Sequence, residues 1–289
     1  MKKLIGIFSI FAILSSCSPT KKIVSVENYL QQAYDSQQYA KVLNSYNQLT
    51  IIGKNKELSI SPSNTLMAAI SAYHLEDYET ASHLFSEIKE KDESSIYMEG
   101  MSYQKLPNPQ LEYNYWKENI DLLEESNNYQ EVLQRLYLLE VDYSQYAAAD
   151  VLWGKLDNTN DEEFMSTQLV VLENLEKNKE ALALSNSILE QNDENETALL
   201  YKGKFYFERA EKLYQSEMTK YNRDPNYTTY AYLKRELKKV SADFRVARGV
   251  FEKLHNLSPE NRTYISYLKN CYVRLEMKTE AAKMDRLLN

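Results

Sequence analysis

The chain has 289 residues, a formal net charge of −8 and 43% hydrophobic residues, enough length for one large or two ordinary domains. Only six Gly and six Pro occur among abundant Leu, Ala, Glu, Lys and Gln, so the composition favours helix over sheet. So little glycine leaves no phosphate-cradling loop and no nucleophile elbow.

In chain order, Lys2 and Lys3 precede an apolar run from Leu4 to Leu14, followed by Ser15, Ser16 and Cys17. The run is too short to span a bilayer and suits the hydrophobic region of a signal peptide. Leu-Ser-Ser-Cys ending at Cys17 resembles the lipobox of bacterial lipoproteins. That resemblance implies removal of residues 1–16 and lipidation of Cys17; an ordinary secretory signal with an incidental Cys is the alternative. Each acyl CH2 buried in a membrane contributes about 0.8 kcal/mol, so several chains make a stable anchor. In that family an Asp after the Cys signals inner-membrane retention. Ser18 stands there and SPTKKIVS carries no acidic run, so the expected location is the outer membrane, facing the periplasm. Residues 17–25 read as the lipidated Cys and a tether. With Cys17 acylated, Cys271 is the one free cysteine and no intramolecular disulfide forms. Its neighbours Leu268, Tyr272 and Leu275 make it a small core residue.

From Val26 the helical texture hardly stops. Tyr39, Val42, Tyr46 and Leu49 form one helical stripe, and 51–63, with Gly53 and Pro62, reads as a polar connection. Leu66, Ala69 and Ala72 then mark a first helix, and Tyr78, Ala81, Phe85 and Ile88 a second, with Glu76-Asp77 at the turn. The next unit is degenerate: Tyr97, Gly100 and Tyr103 suit its first helix, Pro107 and Pro109 break the connection, and Tyr115 sits where an alanine is expected. The pattern returns with Tyr146, Ala149, Trp153 and Leu156, then helix 162–176, then Asn178, Ala181, Ser185 and Ile188. Leu199, Gly203 and Tyr206 open a further unit. No turn residue other than Gly203 occurs from Glu196 to Tyr221, which predicts one long helix of about 39 Å. Asp224-Pro225 ends it, and a second long helical stretch runs from Tyr227 to Leu254.

In the closing stretch, Ala247 is followed by Phe251 and Pro259, and a new helix carries Ile265, Leu268 and Tyr272. This resembles the signature of tetratricopeptide (TPR) repeats, helix pairs of about 34 residues. The small residue lets two helices cross closely and the aromatic one turn on fills the groove. Ala81 to Ala149 spans 68 residues, Ala149 to Ala181 spans 32, Ala181 to Ala247 spans 66 and Ala247 to Ala281 spans 34. The fold expected is all-α, a TPR-like right-handed helical-hairpin solenoid with longer C-terminal helices, with repeats over 26–195 and 196–289. The 24 tyrosines fit a fixed aromatic place in each repeat, an aromatic ligand face being the alternative. Residues 17–200 hold 13 Lys and Arg against 31 Asp and Glu, and 201–289 hold 19 against 11. Both are read as solvated helix faces, or the basic third as a surface for an acidic partner or an anionic envelope polymer.

No catalytic set emerges. His74 and His83 lack zinc-motif spacing, Asp157 to Asp161 fails as a calcium loop, and neither metal nor cofactor is expected. The basic, Tyr-rich helix around Tyr227 to Lys239 imitates a nucleic-acid surface, but an exported lipoprotein implies no nucleic-acid partner. TPR proteins bind peptide or protein segments along the first helices of their pairs. The resemblance places Tyr73, His74, Lys204, Phe207, Asn270 and Arg274 there, along with Leu138, Val141, Val170 and Glu173. Ser266 takes the place of a lysine in the family's carboxylate clamp, so no clamp is expected. Together these features point to a non-enzymatic scaffold for protein partners of the cell envelope. The alternative is a glycan-binding lipoprotein of a polysaccharide-uptake system, stacking sugars on tyrosines. Cys17→Ser is expected to move the protein from the membrane to the soluble fraction on cell fractionation.

Overall fold

A computed structural model describes residues 19–289 except Glu57 and Asn158; Cys17 and the Leu-Ser-Ser stretch before it, on which the lipidation expectation rests, lie outside the described residues. The described residues form fourteen α-helices and one 3₁₀ turn, with no strand. They pack as two compact units, the division falling between Val132 and Leu133 rather than at the charge boundary near 195. The first unit holds α1 (Pro19–Asp35), α2 (Tyr39–Lys56), α3 (Pro62–His74), α4 (Tyr78–Ser86), α5 (Glu93–Lys105), α6 (Pro109–Asn119) and the 3₁₀ turn Ile120–Leu123. The boundary lies inside α7 (Tyr129–Asp142). The second unit continues with α8 (Tyr146–Trp153), α9 (Glu162–Asn174), α10 (Asn178–Gln191), α11 (Glu196–Arg223), α12 (Tyr227–Leu257), α13 (Arg262–Arg274) and α14 (Lys278–Leu288).

Five hairpins close by one device. Gln37, Glu76, Ser144, Glu176 and Glu276 all take positive φ, between 54° and 61°. In each, the next amide donates back five residues: Gln38 to Ala33, Asp77 to Ala72, Gln145 to Glu140, Lys177 to Leu172 and Met277 to Tyr272, at 2.7–3.0 Å. This is the Schellman motif, which satisfies the last carbonyls of the first helix and reverses the chain. None of the five is glycine, so each carries a backbone cost on the order of 1 kcal/mol that packing must offset.

The fourth residue after each such turn's end is the point of close approach. Val42, Ala81, Ala149 and Ala181 there are fully buried and Ala281 nearly so. One helical turn on, Tyr46 and Phe85 are buried and Trp153 is half-buried, completing the groove. All-α architecture built from TPR-like hairpins follows from this recurrence.

Three expectations change. The tether is shorter: α1 already starts at Pro19, where proline's missing N–H costs nothing in a first turn, and Ile23 and Val26 pack against the core. The connection at 51–63 is mostly helix, because α2 continues through Gly53 to Lys56. A side chain at Gly53 would meet the Leu58 carbonyl at 2.9 Å, so glycine lets the chain fold back there. In the degenerate unit Tyr115 is not at the alanine place. The N-caps Ser61 and Asp92 are 31 residues apart, which moves the register and puts Glu112 and Trp116 at the alanine and aromatic places. Glu112 is buried, and the small residue has moved to the facing helix: a Cβ on Gly100 would lie 2.0 Å from the Trp116 ring. Asn261 caps α13, accepting from the Thr263 and Tyr264 amides, while Pro259 lies exposed in the preceding turn.

The long C-terminal hairpin is as expected from 196 onward. At 28 and 31 residues, α11 and α12 extend about 42 and 47 Å. An Asn226 capping box with Thr229 starts α12. Gly203 allows the crossing, since a Cβ there would meet the Phe251 ring at 2.9 Å. Ala247, Phe251, Leu254, Leu268, Cys271 and Tyr272 form one cluster joining α12 to α13, with Tyr206 partly buried against it. Gly100→Ala is expected to lower stability by about 1–3 kcal/mol through overpacking against Trp116. Gly249→Ala, which meets nothing within 4 Å, is expected to leave thermal stability unchanged or raised by up to about 1 kcal/mol.

Candidate site on the first helices of the hairpins

In the second unit the first helices of successive hairpins, α9, α11 and α13, are tied side chain to side chain. Lys204 of α11 donates to Glu173 of α9 at 3.2 Å. Arg274 of α13 donates twice to Glu211 of α11, once at 2.9 Å, and its guanidinium lies 4.6 Å over the Tyr214 ring. Phe207 stands edge-on to Tyr267 of α13 and to Phe244, with centroids 5.2 and 5.5 Å apart. Tyr267 in turn stacks on Phe251 at 4.7 Å. Positions 204, 207, 211 and 214 recur at helical spacing, as do 267, 270 and 274, so each set lines one face.

The structure thus brings Lys204, Phe207, Asn270 and Arg274 onto neighbouring faces, with Val170 and Glu173 contributed by α9. Phe207 is committed to the aromatic packing, and Lys204 and Arg274 to carboxylates. Asn270 is exposed. Arg274 is bidentate on Glu211, so its guanidinium is engaged within the unit. Such partly exposed pairs add little stability individually; their effect is to hold three helices in fixed register. Leu138 and Val141 are half-buried against the Tyr137, Ala149 and Val171 cluster.

Tyr73 and His74 lie in the first unit. His74 stacks on Tyr39 at 4.6 Å with rings 13° apart, and Tyr73 meets His74 and Tyr78 edge-on. Burial raises the Tyr73 phenol above its usual pKa. The same unit contains a feature that sequence reasoning missed, an open cleft of about 1040 Å³ between the end of α2, the segment 58–62 and the end of α4, lined by Tyr46, Thr50, Leu58, Ile60 and Leu84. Gly53 and Pro62 are its only local signals, and in sequence both look like marks of a connection.

A buried acid also escapes sequence reasoning. Glu99, 1% exposed, pairs with Lys91 at 2.6 Å and accepts from Tyr115 at 2.9 Å and Tyr103 at 3.4 Å. Burial and the adjacent carboxylate push Tyr103 up to about 12 and raise Tyr115 further. Paired on these sides, Glu99 locks α5 to α6 through Tyr115. No group of three or more His, Cys, Asp or Glu that could hold a metal occurs among the described residues. His83 faces Glu87 at 3.6 Å on one helix, and Asp161 is the N-cap of α9. No helix among the described residues is long and apolar enough to cross a membrane.

No family model matches the chain, and no curated protein matches it. Among solved structures it is similar to a candidate protein-binding protein from Bacteroides ovatus, at 17% identity and TM-score 0.49, over 80% of this chain and all of that one. It is also similar to the C-terminal part of a TPR repeat-containing protein from Cytophaga hutchinsonii, at 13% identity and TM-score 0.45, over 90% and 93% of the two chains. A TPR repeats protein from Bacteroides fragilis matches at 11% identity and TM-score 0.34, over 87% and 98%. At these scores the likenesses carry no argument about function, and the TPR-like architecture rests on the hairpin geometry above.

Cys271 is fully buried, and burial pushes its thiol up to about 12. Since the thiolate is the reactive form, Cys271 in the folded protein is expected to react with a thiol reagent at pH 8 on the order of a thousandfold more slowly than in denaturant.

Proposed function

We propose that the protein is a non-enzymatic interaction scaffold, lipid-anchored in the outer membrane and facing the periplasm, that binds a protein segment of the cell envelope. The observation that carries this reading is the register of α9, α11 and α13. Glu173–Lys204, Phe207–Tyr267 and Glu211–Arg274 hold three helices so that a mixed polar and aromatic face is presented on a rigid support. A face with fixed side chains and half-exposed tyrosines loses little conformational entropy on binding, which suits recognition of an extended or helical segment. The support for anchoring is the Leu-Ser-Ser-Cys lipobox ending at Cys17.

The test is crosslinking in intact cells followed by mass spectrometry, with the native chain and with Ser266→Arg/Asn270→Arg, both exposed on α13 and outside the pairs that hold the register. The expected result is a defined set of envelope proteins crosslinked to the native chain and reduced at least fivefold in the variant, with circular dichroism unchanged. Recovery of no protein neighbour, or of the same neighbours in equal yield, would overturn the reading.

A further inference from the structure

The outer half of the α11–α12 hairpin has a composition and setting unlike the rest of the unit. From Lys212 to Val240 only Glu217, Leu233 and Val240 are buried, so beyond the contact of Tyr214 with Arg274 this half has little core of its own. Its exposed face on α12 is built from two residue types. Tyr227, Tyr230, Lys234, Lys238 and, further along, Arg245 recur at helical spacing on one solvent-facing stripe of about 27 Å at 1.5 Å per residue. Tyr232, Arg235 and Lys239 are exposed beside it.

Two observations give the face a direction. Lys212, Arg223, Lys234, Lys238 and Arg245 are exposed and make no hydrogen bond or ion pair with any described residue. The nearby acids are engaged elsewhere: Glu236 with Arg235 and Lys239, Glu217 with Lys220, Asp243 with Arg209, and Asp224, at the tip, with the Asn226 side-chain amide. The cations on the stripe therefore meet no neutralising carboxylate on their own surface. The tyrosines are also unusually open, Tyr227 at 88%, Tyr230 at 52% and Tyr232 at 55% exposed. An exposed tyrosine beside unpaired lysines suits a boundary that is apolar on one side, wet on the other, and negatively charged, because the ring prefers the headgroup level and each cation is drawn to anionic lipid.

We propose that this face of the long hairpin docks on a membrane surface of anionic, phosphate-bearing lipid. The unpaired cations provide a salt-sensitive attraction and the tyrosines at the start of α12 enter the headgroup layer. A soluble polyanion without aromatic groups would be drawn by the same charges but would leave the three open phenol rings no interface to occupy, and nucleic acid, whose bases stack on such rings, is not a partner expected of an exported lipoprotein. The face is separate from that of α9, α11 and α13, and docking there holds whether or not a protein binds those helices.

The experiment uses the chain from Ser18 to Asn289, which keeps every described helix and lacks the candidate acyl site. Co-sedimentation with phosphatidylglycerol–phosphatidylcholine vesicles is compared with phosphatidylcholine vesicles, at 50 and 500 mM NaCl. Partition onto the anionic vesicles at low salt is expected, with loss at high salt and none on the neutral ones. Lys234→Gln/Lys238→Gln is expected to weaken it on the order of twentyfold. Tyr227→Ser/Tyr230→Ser is expected to weaken it severalfold while leaving the salt slope in place. Lys278→Gln/Lys283→Gln, exposed on α14, should match the unaltered chain. Partition that is absent at low salt, equal on neutral vesicles, or lowered equally by the α14 variant would overturn the proposal. So would tighter binding to soluble heparin than to the vesicles, with the tyrosine variant unchanged.

Discussion

Two helices lie closest where one of them presents a small side chain, and this preference sets the register of the hairpins here. Val42, Ala81, Ala149, Ala181 and Ala281 occupy that place at a constant distance beyond a turn of constant geometry. The left-handed residue at each turn costs backbone energy, and in no case does glycine relieve it. The hairpins therefore depend on side-chain burial, in three of them that of an aromatic one turn beyond the crossing (Tyr46, Phe85 and Trp153), to keep their turns closed. Local strain and tertiary packing are thus linked at five places along the chain.

Where the arrangement departs from this pattern, the same restriction is met by other means. In the hairpin of α5 and α6 the small residue sits on the opposite helix, as Gly100 under Trp116, and a buried acid fills the vacated place. The shorter interval between N-caps and the Glu99–Tyr115–Lys91 network belong to the same local solution. In the hairpin of α11 and α12, Gly203 and Ala247 allow the crossing near one end, and the helices then run on beyond their neighbours. That extension has surface with little packing duty, so its composition is free to answer to something outside the unit.

Charge is used in two ways on the second unit. On the neighbouring faces of α9, α11 and α13, Lys204 and Arg274 are matched by carboxylates on the next helix, which fixes geometry. On the outer part of α12, Lys234 and Lys238 are left unmatched and tyrosines are left open. The first arrangement suits a surface that recognises shape and hydrogen bonding; the second suits attraction to a negatively charged layer.

Much of the architecture was legible in the residues. Helical content, the crossing alanines, the long uninterrupted stretch after Glu196 and the burial of Cys271 all follow from local patterns, because apolar spacing and the scarcity of Gly and Pro act over a few residues. The turns were harder to place where Glu, Gln or Ser adopts a conformation usually left to glycine, and the extent of α2 was hidden because Gly53 looks like a breaker when its neighbours are not known. The pairing of Lys204 with Glu173 and of Arg274 with Glu211, the carboxylate of Glu99 among tyrosines, and the exchange of Tyr115 for Glu112 at a crossing were beyond the sequence. Each depends on which residues face one another across helices far apart in the chain, and no single-chain periodicity encodes that. The amino-acid order determined which helices form and where they can touch; the packing of the finished units decided which charges are neutralised and which remain open to a partner.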